Sequence, residues 1–560
     1  MDYNILIGGA AGQGMDTLGH LIAKALKNLG FYVFLHKDYM SRIRGGHNFV
    51  TIRFSVDPIF SHTDELTLII ALNYETAHIH SGKLTESGKI IVVEDGEKIN
   101  GEYASLVINL PSKEIIQKTG NRRVIGTAAL GCALKLFGLP LEPLLNEAKN
   151  LFEGQILDAN IIAAQEGYNS SEALFNRELP QPWDSIFING NESIALGAIA
   201  AGCKFYSAYP MTPATSIMTY LSKKSKVATI LVEQAEDEIA AINMALGASY
   251  AGVRAMTGSS GGGFALMVEG VSLAGITETP IVIAISQRPG PATGFPTRTE
   301  QGDLGFVIHS GHGEFPRMVI ALRHPEDAFY QTVRAFNVAE KYQIPVFLLT
   351  DQYLADYTTT VKPFDFSNIT IERYLTTEVH ISNYLRYAIT ESGISPRIIP
   401  GRITGQIVKL DSDEHDESGH ITESAEIRND MVNKRFRKIE PLYDELIEPE
   451  YVGCENPETL LLCWGSTYGP VKEAISDLNL GNHSIGALIF GDIWPLPTKS
   501  LNRLAKIARK IINLEQNATG QLAALIKQQS MIACDHSLLK YDGRQWSKDA
   551  IIDSLKKEVL

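Results

Sequence analysis

The chain has almost no cysteine. Cys132, Cys203, Cys454, Cys463 and Cys534 are its five among 560 residues, and no two form a Cys-x-x-Cys pair. That excludes a four-cysteine iron–sulfur cluster of the usual close spacing, so any electron carrier must be elsewhere. Most of the five sit in apolar runs such as Leu460-Leu461-Leu462-Cys463-Trp464 and read as small buried hydrophobes in a reducing compartment. Long apolar runs are missing as well. No stretch of about 18 such residues exists, so nothing is expected to span a membrane. The amino terminus, Met1-Asp2-Tyr3-Asn4, enters a strand with neither a basic region nor a signal core, which predicts a cytoplasmic chain. Positive charge is in deficit: 50 Lys and Arg face 64 Asp and Glu, for a formal net charge of −14. Nucleic acid is therefore not expected as the main ligand.

Glycine is plentiful, at 47 residues, and falls in short clusters. Clusters of this kind suit tight strand–helix turns and show no collagen-like period. At about 150 residues per domain the length predicts three or four domains. Residues 3–8 are a short apolar run followed by a glycine-rich turn and the helical pattern Leu18, Leu21, Ile22, Ala25, Leu26. Strand-like runs recur at 32–35, 49–54, 66–72 and 90–93. The fold class is α/β, with doubly wound parallel sheets. Leu179-Pro180-Gln181-Pro182 ends this first unit near residue 180.

A second α/β unit starts at Gly190, with strands predicted at 203–207, 229–232, 254–257, 281–286, 318–322 and 346–349 and helices over 238–250 and 263–275. The pattern weakens from about 365 to 450, where Asp411–Glu417 reads as a polar loop. It resumes at Thr459–Trp464 and fills 452–560. His415 and His420 lie among acids without a known ligand spacing. They are read as part of the polar loop, and no metal site is expected.

The residues that carry chemistry cluster at strand ends. Gly8-Gly9-Ala10-Ala11-Gly12-Gln13-Gly14 follows a strand and opens a helix, where backbone N–H groups favour a phosphate. The glycine order is that of neither a dinucleotide fingerprint nor a P-loop, and a tight packing turn is the other reading. Arg42-Ile43-Arg44-Gly45-Gly46-His47-Asn48 brings two arginines beside two glycines. They either fork onto anionic oxygens or sit in a solvated turn.

Tyr209-Pro210-Met211-Thr212-Pro213 ends a strand, the usual place for ligands in an α/β sheet. Its prolines fix φ and stiffen the turn around the Thr212 hydroxyl, although Thr212 or Thr215 could equally cap the next helix. Four acids fall within Glu233–Glu238. Acids are favoured at a helix start anyway. Glu238 differs in opening the small apolar run Glu-Ile-Ala-Ala-Ile, which predicts a buried carboxyl suited to proton exchange. Gly258-Ser259-Ser260-Gly261-Gly262-Gly263 makes another strand–turn–helix. Arg288 follows the apolar strand 281–286, where it can grip a carboxylate bidentately or form a surface salt bridge.

Taken together these residues resemble the 2-oxoacid:ferredoxin (acceptor) oxidoreductases, specifically the alpha subunit with a fused N-terminal gamma domain. The motifs that carry the resemblance are Gly8–Met15, Arg44-Gly45-Gly46, Tyr209–Thr215, Gly294–Leu304, Glu414–His420 and Glu515–Gln521. The match covers nearly the whole chain. It implies a gamma domain over 1–180, a pyrimidine-binding-type domain I over 190–365, a connecting segment over 366–450 and a transketolase C-terminal-like domain II over 451–560.

The implied reaction is CoA-dependent oxidative decarboxylation of a 2-oxo acid with thiamine diphosphate, reducing ferredoxin or flavodoxin. By the resemblance, Glu238 contacts the cofactor's aminopyrimidine. Thr212 and Arg288 hold the 2-oxo acid, with Tyr209, Pro210, Pro213 and Arg298 around it. Gly9, Gly12, Gln13, Gly14, Arg42, Arg44, Gly45 and Gly46 face coenzyme A. A Gly-Asp-Gly followed about 25–30 residues later by Asn-Asn, the diphosphate signature, is absent. The resemblance therefore implies a separate beta subunit carrying the diphosphate, Mg²⁺ and a [4Fe-4S] cluster.

Two departures stand out: Met211 replaces Ile, and Ala214 replaces the usual Ser. 2-Oxoglutarate is the favoured substrate, with pyruvate and branched-chain 2-oxo acids as alternatives. A non-redox thiamine enzyme and a CoA- or nucleotide-binding regulator are the competing classes.

Overall fold

The computed structural model describes residues 2–40, 46–93, 103–175, 179–377 and 384–560. The chain forms two compact units. The first takes residues 1–188, 357–363 and 547–550, and the second takes 189–356, 364–546 and 551–560.

The first unit is built from β1 (Asp2–Ala10), α1 (Met15–Asn28), β2 (Tyr32–Asp38), β3 (His47–Ser55), β4 (Leu66–Ala71), α2 (Tyr74–His80), β5 (Leu84–Val92), β6 (Val107–Asn109), α3 (Ser112–Thr119), α4 (Ile125–Leu136), α5 (Glu142–Leu151), α6 (Gly154–Asn169) and β7 (Ile186–Asn189). Its eight-stranded sheet runs β6-β5-β4-β1-β3-β2-β14-β7, where β14 is Thr358–Val361. Strands β1, β4, β5 and β6 are parallel. β3 lies antiparallel to both β1 and β2, a departure from the all-parallel expectation. The link between β2 and β3 is too short for a crossover helix, so the returning strand must run antiparallel.

The chain leaves β1 through α1 toward β2 on one side, and runs β4, β5, β6 outward on the other. The carboxyl ends of β1 and β4 therefore form a topological switch point. Helix α4 is buried along nearly its whole length and meets α6 backbone to backbone. A Cβ on Gly131 would lie 2.1 Å from Ala164 O, and one on Gly167 would lie 1.9 Å from Ala128 O.

The second unit continues with α7 (Gly190–Ala200), β8 (Cys203–Ala208), α8 (Thr215–Ala228), β9 (Leu231–Gln234), α9 (Glu238–Tyr250), β10 (Arg254–Ser259), α10 (Gly261–Ile276), β11 (Ile281–Gln287), α11 (Leu304–Ile308), β12 (Met318–Ala321), α12 (Pro325–Tyr342), β13 (Pro345–Asp351) and α13 (Gln352–Asp356). After α14 (Ala425–Arg437) and α15 (Ile439–Tyr443) come β15 (Glu450–Gly453), β16 (Thr459–Trp464), α16 (Tyr468–Leu480), β17 (Ile485–Phe490), β18 (Asp492–Trp494), α17 (Lys499–Leu504), β19 (Lys510–Glu515), α18 (Gln521–Ser530), β20 (His536–Leu539) and α19 (Lys548–Glu558). The predicted helices over 238–250 and 263–275 form as α9 and α10.

A seven-stranded sheet runs β18-β12-β13-β11-β10-β8-β9 and a five-stranded one runs β15-β17-β16-β19-β20. One hydrophobic core serves both. It joins Ile283, Ile285 and Phe347 of the larger sheet to Leu462, Leu488 and Phe490 of the smaller. The chain reverses direction across the larger sheet at β8 and β10, which places its switch point at their carboxyl ends.

The segment between the two sheets is held by buried charge. Glu278 accepts from Lys434 Nζ at 2.6 Å and pairs with Lys438, while Arg386 donates to the Glu278 carbonyl at 2.8 Å. Burial alone would raise the Glu278 carboxyl, but Lys438, Lys434 and Arg386 hold it well below the usual range. Glu340 binds the guanidinium groups of Arg254, Arg373 and Arg397 at 2.9, 2.9 and 2.8 Å. His415 is buried against the Tyr387 ring, 4.0 Å between centroids, and is not on a solvated loop as expected. The Tyr387 ring against it and the Asp413 carbonyl 3.0 Å from its Nδ1 make it a packing residue. All five cysteines are free, and burial pushes the thiols of Cys203 and Cys463 up to about 12. Among the described residues no helix is long and apolar enough to cross a membrane.

Glu278→Ala should destabilise the chain by about 3–5 kcal/mol, because it strands buried cations without a counter-charge. Urea unfolding measures this. A loss below about 1 kcal/mol would mean the cluster is hydrated and the connecting segment is held by packing alone.

Candidate functional site

Four strand ends of the seven-stranded sheet bring the predicted residues together. Tyr209–Thr215 follows β8, Glu238 follows β9, the Ser259–Gly263 turn follows β10, and Arg288 follows β11. Arg288 Nη1 donates to the Thr212 carbonyl at 2.8 Å, so two of the three expected catalytic residues touch. The guanidinium spends one donor on that carbonyl and forms no ion pair closer than 4 Å among the described residues. Burial lowers its pKa, and Asp303 nearby opposes the change.

Thr212 does not cap a helix. Helix α8 starts after Ala214 without a side-chain cap, and Thr215 N donates to Met211 O at 3.1 Å. The Thr212 hydroxyl is left exposed, with no partner among the described residues. Its turn is held from below by the fully buried Asn191. That side chain donates to Pro213 O at 2.9 Å and lies 2.7 Å from Ser216 Oγ. The Thr212–Pro213 bond is cis.

Glu238 is buried, at 3% exposure, in the first turn of α9. The helix is capped by its neighbour: Asp237 accepts from Ala240 N at 2.7 Å. Capping therefore explains one of the four acids and leaves Glu238 without that role. Ser259 Oγ lies 3.3 Å from Glu238 Oε1. Gly263 makes the space, since a Cβ there would stand 2.3 Å from Glu238 Oε1 and 2.1 Å from Ser259 Oγ. Gly261 does the same for another acid, for a Cβ at that position would meet Asp303 Oδ2 at 2.3 Å. Met211 is more than a size replacement, because its sulfur accepts from Ser260 Oγ at 2.7 Å.

Asp303 was not singled out from the sequence. Its backbone N donates to Gln287 Oε1 at 3.0 Å, and its Oδ2 is buried without a partner among the described residues. Burial pushes the carboxyl up to about 6, with Arg288 pulling the other way. The signals available were its place inside the Gly294–Leu304 motif and directly after Gly302 in a loop rich in polar residues.

That loop is clamped by the smaller sheet. Gln516 N donates to Gln301 Oε1 at 3.1 Å, and Gln301 Nε2 reaches the Trp464 carbonyl at 2.7 Å. Asn517 Nδ2 donates to Gln301 O at 3.1 Å, and Gln521 Nε2 donates to Gly302 O at 2.7 Å. Glu515 accepts from Trp464 Nε1 at 3.0 Å and from Leu522 N at 2.9 Å. The Glu515–Gln521 motif is thus a clamp on residues 299–302, which carry Arg298 and Asp303 on either side. Arg298 is half-buried beside Gly543. Tyr209 is exposed, whereas Pro213 is buried.

In the other unit the glycine turn divides in two. Gly9 is filled, since a Cβ would meet Gln13 Oε1 at 2.3 Å and Leu72 Cβ at 3.0 Å. Gln13 folds back to accept from Ala10 N at 2.6 Å. Gly12 and Gly14 have φ of 94° and 83°, and a Cβ on either meets nothing within 4 Å. The tight-packing reading fits Gly8 and Gly9, and the open-approach reading fits Gly12 and Gly14. Gly46 has φ 81° and packs against Met40. Arg42, Arg44 and Gly45 lie outside the described residues. Among the described residues no group of three or more metal-binding side chains gathers.

A family model described as "Pyruvate flavodoxin/ferredoxin oxidoreductase, thiamine diP-bdg" matches residues 196–434, and one described as "Pyruvate ferredoxin/flavodoxin oxidoreductase" matches residues 4–170. The chain is 32% identical over 620 aligned positions to the 2-oxoacid:ferredoxin oxidoreductase subunit alpha of Sulfolobus sp, covering 100% of this chain and 97% of that one. It is 33% identical to the 2-oxoglutarate synthase subunit KorA of Methanocaldococcus jannaschii, covering 59% of this chain and 88% of the relative. Among solved structures, the 2-oxoglutarate:ferredoxin oxidoreductase of Magnetococcus marinus with 2-oxoglutarate, coenzyme A and succinyl-CoA bound superposes with a TM-score of 0.94. It is 31% identical and covers 100% of both chains.

Asp303 gives the site a measurable pH signature. Its carboxyl stands at about 6 in the fold against 3.8 ordinarily, so between those values the native state holds more protons than the unfolded chain. Stability then falls as pH rises through that window. Asp303→Asn should match wild type near pH 4 and be more stable at pH 8, by at most about 2–3 kcal/mol. Urea unfolding at the two pH values measures the difference; a pH-independent one would show that Asp303 does not titrate there.

Proposed function

The chain belongs to the 2-oxoacid:ferredoxin oxidoreductase family as an alpha subunit, and from that premise we propose that it holds the 2-oxo acid during CoA-dependent oxidative decarboxylation, 2-oxoglutarate being the favoured substrate. The observation that carries the proposal is the Arg288–Thr212 contact, set at the same sheet edge as the buried Glu238. Residues 1–180 are proposed as the gamma domain, 190–365 as domain I, 366–450 as the connecting segment and 451–560 as domain II.

The residues fit the pyrimidine half of thiamine diphosphate. Gly263 leaves Glu238 a cradle that any Cβ would fill, and among the described residues Oε1 has the Ser259 hydroxyl as its hydrogen-bond partner. Thiamine diphosphate, when bound, supplies the carbanion-stabilising chemistry that decarboxylation needs. Glu238 would hold the aminopyrimidine ring through its carboxyl and exchange a proton there. Arg288 would take the 2-oxo acid carboxylate, a charge-assisted contact that its bond to the Thr212 carbonyl orients. The Thr212 hydroxyl would donate to the same substrate, with Tyr209, Pro210, Pro213 and Arg298 around it. Asp303 and Met211 join this set as positioning residues.

Nothing in this chain anchors a diphosphate by the usual signature, and its five cysteines lack cluster spacing. A beta subunit carrying Mg²⁺, the diphosphate site and a [4Fe-4S] cluster is the proposed partner, with ferredoxin or flavodoxin as acceptor. Coenzyme A is proposed to approach the gamma domain at Gly12, Gln13 and Gly14, with Arg42 or Arg44.

The reconstituted pair should reduce a viologen dye only when 2-oxo acid and CoA are both present, and this chain alone should not. Glu238→Gln should lower kcat at least about 100-fold while leaving the heteromer intact. Arg288→Ala should raise KM about tenfold or more with a smaller change in kcat. An unchanged KM would make Arg288 a structural residue. A panel of 2-oxo acids, led by 2-oxoglutarate and pyruvate, decides the substrate.

A further inference from the structure

The acid at position 303 cannot withdraw from where the fold puts it. Its backbone N donates to Gln287 Oε1 at 3.0 Å, and its carbonyl accepts from Val307 N at 2.9 Å as α11 begins. Gln521 holds the chain on either side, donating to Gly302 O at 2.7 Å and accepting from Gly305 N at 2.9 Å. The carboxyl fills the space that Gly261 leaves, with Oδ2 2.3 Å and Oδ1 2.6 Å from the Cβ that this glycine lacks. It lies at the start of α10, yet no N–H of that turn reaches Oδ2, which is buried without a partner among the described residues. The helix start therefore gives the charged form no hydrogen bond at this oxygen, and burial favours the neutral form.

Charged groups meet it from several elements. Arg288, at the end of β11, favours its ionised form. Glu300, on the same loop, has room over Gly302, where a Cβ would stand 3.0 Å from Glu300 Oε1. Burial raises the Glu300 carboxyl, and Asp303 raises it further. Glu238, from α9, meets the same glycine turn at Gly263. The start of α10 adds only glycines, and α18 adds the neutral amide of Gln521. Several acids thus crowd one half-buried cation, and that cation is bonded elsewhere, from Arg288 Nη1 to the Thr212 carbonyl at 2.8 Å.

An ionised Asp303 and Arg288 sum to zero charge. A 2-oxo acid seated on Arg288 adds a carboxylate and leaves that corner negative, and like charges held close disfavour ionisation. Resting on the reading of Arg288 as the carboxylate's partner, we infer that Asp303 takes up one proton as the 2-oxo acid binds, and that its ionised form keeps the anion out by repelling it and competing for the guanidinium. One solvent proton bonds to the carboxylate, no other bond forms or breaks, and the corner stays neutral. Asp303 acts through Arg288 and is a positioning residue that admits the substrate by charge. Burial already pushes its carboxyl up to about 6, so the proton is within reach near neutrality. The neutral, binding-competent form prevails below that value and is lost as pH rises through it. Substrate affinity falls in proportion to the competent fraction.

Calorimetric titration of the reconstituted heteromer with an unreactive amide analogue tests this, N-oxalylglycine if it turns over 2-oxoglutarate and oxamate if it turns over pyruvate. Repeating the titration in buffers of different ionisation enthalpy counts the protons. Wild type should bind the analogue about tenfold or more weakly at pH 8 than at pH 6, and take up about one proton per site at pH 8. Asp303→Asn mimics the neutral form. It should bind with nearly the same affinity at both pH values, without proton uptake, and more tightly than wild type at pH 8. A substitution that merely damaged the fold would not tighten binding. Wild type binding without proton uptake overturns the inference whatever the variant does. Uptake that persists in Asp303→Asn, or affinity lost from it at both pH values, overturns it as well. A heteromer that turns over no 2-oxo acid, or reduces dye without CoA, would instead overturn the proposed function.

Discussion

The missing side chain at position 263 is the constraint on which the candidate site depends. Helix α10 starts beside β10, and the first turn of α9 comes close enough that a Cβ would stand 2.3 Å from the Glu238 carboxylate. No shift of a flexible side chain relieves this, because Glu238 is itself buried and Ser259 stands beside it. Gly261 repeats the solution two residues earlier for Asp303. One glycine turn therefore admits two carboxyls, from opposite directions along the chain, to the start of one helix. From the sequence this segment is a strand–turn–helix. In the structure Gly261 and Gly263 are occupied by the protein's own acids. Of the three consecutive glycines, only Gly262 has no atom closer than 3.8 Å to its missing Cβ.

Those two acids differ in what surrounds them. Glu238 has a hydroxyl partner and sits at a helix start whose capping is done by Asp237. Asp303 has an unsatisfied buried oxygen and a nearby guanidinium that is bonded to a carbonyl instead. A carboxyl left unsatisfied while an arginine is close by is a cost that packing must hold in place. The clamp from the smaller sheet supplies that packing. Gln301 is gripped through its side chain and its carbonyl by Gln516, Asn517 and the Trp464 carbonyl, two residues from Asp303. Domain-scale architecture and the placement of one oxygen are thus linked through a row of amide hydrogen bonds. The shared core of the two sheets gives this row a rigid base.

Much of this was legible in the sequence. Strand-end placement follows from the βα alternation, which puts Tyr209–Thr215, Glu238 and Arg288 at one edge of the sheet. The buried Glu238 was legible from its small apolar neighbours. The function of Glu515–Gln521 was not, because a clamp is a pairing with residues more than 200 positions away. Asp303 was hidden for the same reason: its burial is set by Gly261 and Gln287, neither adjacent in sequence. The antiparallel β3 could have been found from the short β2–β3 link, but the apolar run alone reads the same in either direction. The Thr212 cap was a sound local reading that lost to geometry, since α8 begins three residues later.

Charge is spent unevenly along this chain. Its surplus of acids is general, yet a few of its cations are fixed without an ion-pair partner among the described residues. Arg288 is bonded to a carbonyl and the Arg122–Arg123 pair is fixed by an asparagine turn. The cations that are spent, Lys434, Lys438, Arg254 and Arg397, lie on buried glutamates. An acidic chain that buries several of its cations and leaves a few fixed and unpaired repels anions in general while admitting them at chosen points. The Gly-Asp-Gly and Asn-Asn signature that holds a diphosphate with its metal is absent from its sequence. Under the proposed function the labour is divided between two chains: this one selects and orients the substrate anion, and the diphosphate falls to the proposed partner.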